Sequence, residues 1–284
     1  MTDGGIDCNA FDQWCHTIHL TVQLLYSCGL DKSDMIGWEW AKGDSLMDRQ
    51  PHTLSSSEIE AIEKLSMRST TQALLNFATS AWDEFRNSPD DADGVAEDVT
   101  QEALRDLSGF PIRQRLYGTV DYRQARYVFL PEYMVRQALF VDSKAEKSAS
   151  SGRIQISQTS LRVLFQRGDG TMVDTVGGLQ PIINLSTGIS YLTTTLFVHY
   201  HYSEPPSGRL LRAIVIAALP NGSLESSYVI SSTDHIWNVG PDSPVRGEKQ
   251  RARLSFTKLA QKRPWRVQRI AFDTKGHPTF TWQD

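Results

Sequence analysis

Hydrophobic positions recur first at helical and then at strand spacing along the chain. Phe11, Trp14, Cys15, Ile18, Thr21, Val22 and Leu25 fall three and four apart, as one face of a helix requires. Gly29 and the polar stretch 31–34 end that segment, and Trp38 and Trp40 sit in an irregular connector closed by Pro51. A longer helix starts at Ser55-Ser56-Ser57-Glu58, which supplies hydroxyl caps and an early acid. Its apolar stripe is Ile59, Ile62, Leu74, Phe77, Ala81 and Phe85, and it is expected to stop near 86–88, before Pro89. A third helix is expected over 95–107, with Gly109 past its end.

From Arg126 the period shifts towards two. Strands are expected over 126–130, 137–145, 193–202, 211–219, 251–256 and 265–272. Several are continuous apolar runs, which suit strands buried on both faces of a central sheet. Residues 257–262 read as a short helix and 148–152 as a Ser-rich loop; no internal repeat is evident. Helices followed by strands with interspersed helices predict an α/β domain, 55–284, behind an extended helical N-terminus, 1–54.

Composition narrows the class. Hydrophobic residues at 40% and charged residues at 22% exclude a disordered or collagen-like chain. No apolar run approaches the roughly 18 residues of a spanning helix. The start, MTDGGIDCNAF, lacks the basic flank and apolar core of a secretory signal. Cys8, Cys15 and Cys28 form an odd, localised set rather than a disulfide framework, so a reducing cytoplasm is expected. With His16 and His19 they lack the closely paired ligands of structural zinc sites, and Cys15 lies on the apolar face, so packing is the expected role.

Charge is uneven. The net −4 conceals 20 acids against 7 bases in residues 1–110, and 10 bases against 2 acids in residues 246–275. The basic stripe points to a polyanion such as nucleic acid, although an ordinary solvated surface explains the charge equally well.

The candidate chemistry lies in Phe140-Val141-Asp142-Ser143-Lys144-Ala145. Residues two apart on a strand project to one face, so Asp142 and Lys144 converge while Ser143 faces away and leaves its carbonyl near the site. Asp121, 21 residues earlier, adds a second carboxylate to an all-oxygen cluster suited to Mg²⁺, with Asp121, Asp142 and Ser143 as ligands. Such a centre stabilises a phosphorane-like transition state and activates water. Alone, an Asp-x-Lys at a strand end is usually a surface salt bridge. Yet charges directly after the apolar run Ala138-Leu139-Phe140-Val141 are costly to desolvate without a partner or metal.

Five collinear blocks go further: VAEDVTQEAL (95–104), GTVDYRQARYVFLP (118–131), LFVDSKAEK (139–147), TLFVHYHY (195–202) and SPVRGEKQRARLSFTKLAQKRPWRVQ (243–268). Together they resemble the SfiI-type Type II restriction endonucleases of the PD-(D/E)xK class over roughly 55–272. BglI is resembled more weakly, in the catalytic and R-x-R strands. The resemblance does not extend to residues 1–50. It implies a restriction-endonuclease-like mixed β-sheet flanked by helices, and Mg²⁺-dependent cutting of both strands of duplex DNA to 5′-phosphate and 3′-hydroxyl ends. It places the class acids on Asp121 and Asp142 and the class lysine on Lys144. The literal Pro-Asp is absent, because Val120 precedes Asp121. A helical carboxylate often assists in this class; Glu97, Asp98 and Glu102 are available, and Asp98 aligns best.

Arg251 and Arg253 alternate with Ala252 and Leu254, so both face one side of a strand, where arginine forks can read guanine O6 and N7. Salt-bridged surface arginines are the simpler reading; the resemblance favours base readout at an interrupted, G·C-containing palindrome. Arg246, Glu248 and Lys249 in the preceding loop can supply base or phosphate contacts, while Lys258, Lys262 and Arg263 are expected to position phosphates or to be solvated. His199 and His201 are expected on a polar strand face. A palindrome calls for two-fold symmetry, hence a homodimer or homotetramer on duplex DNA, with no membrane partner. Two readings compete: a structure-specific repair or resolvase nuclease, which needs no guanine readers, and a DNA-binding protein without catalysis, which needs no Asp121, Asp142 and Lys144.

Overall fold

The structure, a computed structural model, describes residues 49–105, 125–130, 133–166, 170–184, 188–206, 208–238 and 251–284. All belong to the larger of two compact units, Asp48–Leu107 with Ile112–Asp284. The helix expected around 11–25, and with it Cys8, Cys15, His16, His19 and Cys28, lies outside the described residues.

In chain order, α1 (Ser56–Asn76), α2 (Ala78–Asn87) and α3 (Ala92–Arg105) come first. They are followed by β1 (Ala125–Leu130), β2 (Val135–Glu146), β3 (Ser151–Gln155), β4 (Val163–Gln166), β5 (Met172–Thr175), β6 (Ile182–Asn184), β7 (Ser190–Ser203) and β8 (Leu210–Leu219). The chain ends with α4 (Glu225–Tyr228), β9 (Trp237–Asn238), β10 (Arg251–Ser255), α5 (Phe256–Lys262), β11 (Val267–Phe272) and β12 (Pro278–Thr279). The central seven-stranded sheet runs β1-β2-β7-β8-β11-β12, with β6 beside β7. It is mixed: β2 and β7 are parallel from Gln137↔Leu192 to Glu146↔His201, and their neighbours are antiparallel. A second sheet has the order β3-β10-β9, and β4 pairs β5. No helix among the described residues is long and apolar enough to cross a membrane.

The apolar runs behave as their composition requires. From Leu196 to Tyr200 every residue of β7 is buried, as are Ala213 to Leu219 of β8, so both faces of the sheet are covered. α1 opens with a capping box: Ser55 Oγ accepts from Glu58 N–H and Glu58 Oε2 accepts from Ser55 N–H at 2.8 Å. Arg49 donates to Glu58 at 2.6 Å, and these contacts hold that carboxyl down at about 2.

The strand expected from 265 starts at Val267, behind a 3-10 turn at Pro264–Arg266, and two helix boundaries also differ from expectation. The helix expected over 55–88 is two helices, broken at Phe77, whose N–H is shared between the Ala73 and Leu75 carbonyls. The buried stripe continues in phase across the break, through Leu74, Ala78, Ala81, Trp82 and Phe85, so periodicity gave no sign of it. α3 starts at Ala92 rather than 95 because Asp91 Oδ1 accepts from Gly94 N–H at 2.9 Å and caps the first turn.

One buried web fastens α1 to the far edge of the sheet. Arg266 Nη2 donates to Glu63 Oε2 at 2.6 Å, and both side chains are fully buried. Glu63 Oε1 accepts from Asn221 N–H at 2.7 Å, Arg266 Nε donates to the Tyr228 hydroxyl at 2.6 Å, and Tyr228 donates to Glu60. Breaking a buried pair strands a charge, at a cost of about 3–5 kcal/mol. Arg266→Met is therefore expected to destabilise by that amount, read as a lower urea midpoint at unchanged slope. A midpoint equal to that of the wild type refutes the web's structural role.

Candidate active site

β2 carries the candidate catalytic side chains on one face and its anchor on the other. Ser143 is buried on the helical side: its Oγ donates to Thr100 Oγ1 of α3 at 2.8 Å, and Thr100 Oγ1 lies 2.8 Å from the Tyr200 hydroxyl. Tyr200 stacks on Phe85 of α2 at 5.2 Å between ring centroids, and burial pushes its phenol above the ordinary value. Gln137, of the same parity, donates to Ser66 Oγ of α1 and to Thr194 Oγ1, each at 2.7 Å. Strand alternation therefore turns Asp142, Lys144 and Glu146 to the opposite face, alongside their register partners Phe197, His199 and His201.

Among the described residues, pairing of β2 with β1 runs from Leu130↔Val135 to Ala125↔Phe140, and no described strand lines the β1-side edge beyond it. Further on, Ala145 N–H donates to Asp93 Oδ1 of α3 at 2.8 Å instead of to β7. Main-chain groups alternate with the strand's period of two, so the Ser143 carbonyl faces this same edge. The Asp142 carboxylate and the Ser143 carbonyl are hard oxygen donors that fit a Mg²⁺ ion.

On the Asp142 face the second sheet packs against the first. Gly152 of β3 lies against the Phe197 ring, where any Cβ would collide with it. Ile154, Ala252 and Leu254 are buried on the inner side of β3 and β10, so alternation puts Arg153 and Arg253, direct register partners, on the outer side. Arg153 Nε donates to Glu146 Oε1 at 2.9 Å, Arg253 Nη1 lies 3.6 Å from Glu146 Oε2, and Arg253 also donates to Ser151 Oγ at 3.1 Å.

Of the residues singled out in the sequence, Asp142, Ser143, Lys144 and Arg253 are thus placed on or beside one strand. Arg251 belongs to β10. Asp121, Arg246, Glu248 and Lys249 lie outside the described residues. Asp98 is exposed on α3, which turns Ala96, Val99 and Thr100 inward on the Ser143 side. The three later cations are engaged within the fold: Lys258 Nζ donates to the Trp237 carbonyl, Lys262 pairs with Asp234 and Arg263 with Glu60. His199 is not on a polar face but fully buried, its Nε2–H donating to the Ser148 carbonyl at 2.7 Å, and burial holds it below its ordinary value.

A family model described as Type II restriction enzyme SfiI matches residues 59–270. The chain belongs to that family. The Type II restriction enzyme SfiI of Streptomyces fimbriatus is 31% identical over 252 residues, covering 84% of this chain and 94% of that protein. The crystal structure of tetrameric restriction endonuclease SfiI bound to cognate DNA matches with a TM-score of 0.73 at 30% identity, over 84% and 94% of the two chains. The restriction endonuclease BglI bound to its DNA recognition sequence matches at 0.57 and 18% identity, over 75% and 90%, a likeness of fold alone.

As an SfiI-family Type II restriction enzyme, the protein is a site-specific endonuclease with a mixed central sheet behind N-terminal helices. Glu146 and Arg153 were not singled out in the sequence. The signal for Arg153 was present in Ser151-Gly152-Arg153-Ile154-Gln155, an alternation that does not read as a strand until β10 pairs with it.

The hydroxyl chain is testable on its own. Thr100→Val leaves the buried Ser143 hydroxyl without its acceptor, a loss of about 1–3 kcal/mol. The urea midpoint is expected to fall accordingly, and an unchanged midpoint rejects the anchor.

Proposed function

We propose that this SfiI-family enzyme cuts both strands of duplex DNA by Mg²⁺-dependent hydrolysis at an interrupted, G·C-containing palindrome. Asp121, Asp142 and Lys144 form the hydrolytic centre, with Asp121, Asp142 and the Ser143 carbonyl as metal ligands. The observation that carries this reading is the shared face of Asp142 and Lys144, held outward by the burial of Ser143 on Thr100. Bound there, Mg²⁺ supplies positive charge at the phosphate oxygens and lowers the pKa of water. Asp142 orients the ion, and the Lys144 ammonium lies on the same face to stabilise charge that grows on the phosphate in the transition state.

Arg251 and Arg253 read guanines in the major groove, and Arg246, Glu248 and Lys249 contribute base or phosphate contacts before β10. A palindrome needs the same readers twice, so the enzyme acts as a homodimer or, like the tetrameric SfiI relative, a homotetramer. The acidic N-terminal extension, 1–54, does structural or interface work and no chemistry. The place of action is the cytoplasm.

The test is digestion of a plasmid of known sequence with the ends mapped. The wild type with Mg²⁺ is expected to cut at one sequence in both strands, and chelation is expected to stop it. Asp142→Ala is expected to lower cleavage about a thousandfold or more while DNA binding stays measurable, since a lost metal ligand removes several kcal/mol at the transition state. Turnover near wild type in Asp142→Ala overturns the assignment.

A further inference from the structure

We propose that Glu146 is a positioning residue: it holds Arg153 and Arg253 together as one base-reading pair and ties that pair to the strand bearing Asp142 and Lys144. The inference rests on the reading of the chain as a nuclease specific for duplex DNA, and it adds Arg153 to the readers.

The first observation is a like-charge pair. Arg253 and Arg153 are direct partners across two antiparallel strands, with side chains on the same face. Cβ atoms in such a pair lie about 4.5–5.5 Å apart, and like charges placed there repel. An ion pair serving stability alone is complete with one arginine. Here a single carboxylate serves two: Glu146 Oε1 takes Arg153 Nε at 2.9 Å and Glu146 Oε2 lies 3.6 Å from Arg253 Nη1. The trio keeps one net positive charge, directed at an anionic or acceptor-rich partner.

Exposure is graded in the sense that a reading surface needs. The Glu146 side chain is 10% exposed, Arg253 29% and Arg153 43%. The carboxylate is the inner element and the guanidiniums the outer ones. A guanidinium carries five N–H donors, and the donations described use Nε of Arg153 and Nη1 of Arg253. The remaining donors suffice for a fork onto guanine O6 and N7.

The second observation is the linkage. Glu146 shares its face of β2 with Lys144, two residues back, and Asp142, four residues back. β3 is seated through Gly152 on Phe197, the register partner of Asp142. The readers are therefore fixed to the catalytic strand twice, by a charge contact outside and by a close approach inside. Glu146→Gln keeps the shape but removes the charge that offsets the two arginines, so the pair splays. Glu146→Asp keeps the charge on a shorter stem.

The experiment measures binding in Ca²⁺ and single-turnover cleavage in Mg²⁺ at fixed salt, on the mapped site and on its single-base-pair variants. It compares the wild type, Glu146→Gln, Glu146→Asp, Arg153→Ala and the double variant Glu146→Gln with Arg153→Ala. Glu146→Gln is expected to lower the cognate-to-variant ratio about tenfold or more at one base pair, without weakening affinity for unrelated duplexes. Arg153→Ala is expected to lose discrimination at that same base pair, the double variant to be no worse than the worse single, and Glu146→Asp to restore part of the ratio. A ratio within twofold of wild type in Glu146→Gln, or a uniform loss of affinity across all duplexes, overturns the proposal. If Glu146→Gln does not fold, Arg153→Ala decides alone, and an unchanged ratio there overturns it. Failure of the underlying nuclease reading has a different signature, because the wild type itself then prefers no sequence.

Discussion

The alternation of side chains along β2 is the constraint on which the site depends. A strand has two faces and a period of two, so burying Gln137 and Ser143 under the helices obliges Asp142, Lys144 and Glu146 to share the other side. A slip of one residue would drive three charged side chains into the core, a cost no single contact offsets. The register is pinned at both ends, by Gln137 between Ser66 and Thr194 and by Ser143 on Thr100. The parallel pairing with β7, buried from Tyr191 to Tyr200, holds the strand between these pins.

Charge is organised at two depths. Far from the site, Glu63 and Arg266 are fully buried, and their energy depends on completeness: the carboxylate, the guanidinium, the Asn221 amide and the Tyr228 hydroxyl satisfy one another. Beside the site, Glu146 is nearly buried while its two arginines are not, so one side of the ion cluster belongs to the protein and the other to solvent. The first arrangement fastens a helix to a sheet; the second leaves guanidinium donors facing solvent.

Much of this was legible in the sequence, and the gaps have physical reasons. The runs that became β7 and β8 announced two-sided burial, and the Asp-x-Lys alternation announced its shared face. The break at Phe77 was silent because the stripe through Leu74 and Ala78 stays in phase. Only 151–152 of β3 fall in the expected Ser-rich loop and 153–155 are assigned to no element, because these five residues become a strand only when β10, about a hundred residues later, pairs with them. Arg153 was missed with it. His199 was expected on a polar face because imidazole is polar; Phe256 and the Ser148 carbonyl cover it instead. Lys262 and Arg263 were open to a phosphate role, yet acids distant in sequence, Asp234 and Glu60, engage them.

The central claim is that one face of β2 joins hydrolysis to base reading. A crystal structure of the wild-type protein with its cognate duplex and Ca²⁺ tests it most directly. The account predicts the scissile phosphate against Asp142 and Lys144, with Arg153 and Arg253 of the same protomer on guanine edges and Glu146 between them. A scissile phosphate seated away from Asp142 and Lys144, or both arginines on the phosphate backbone alone, contradicts it.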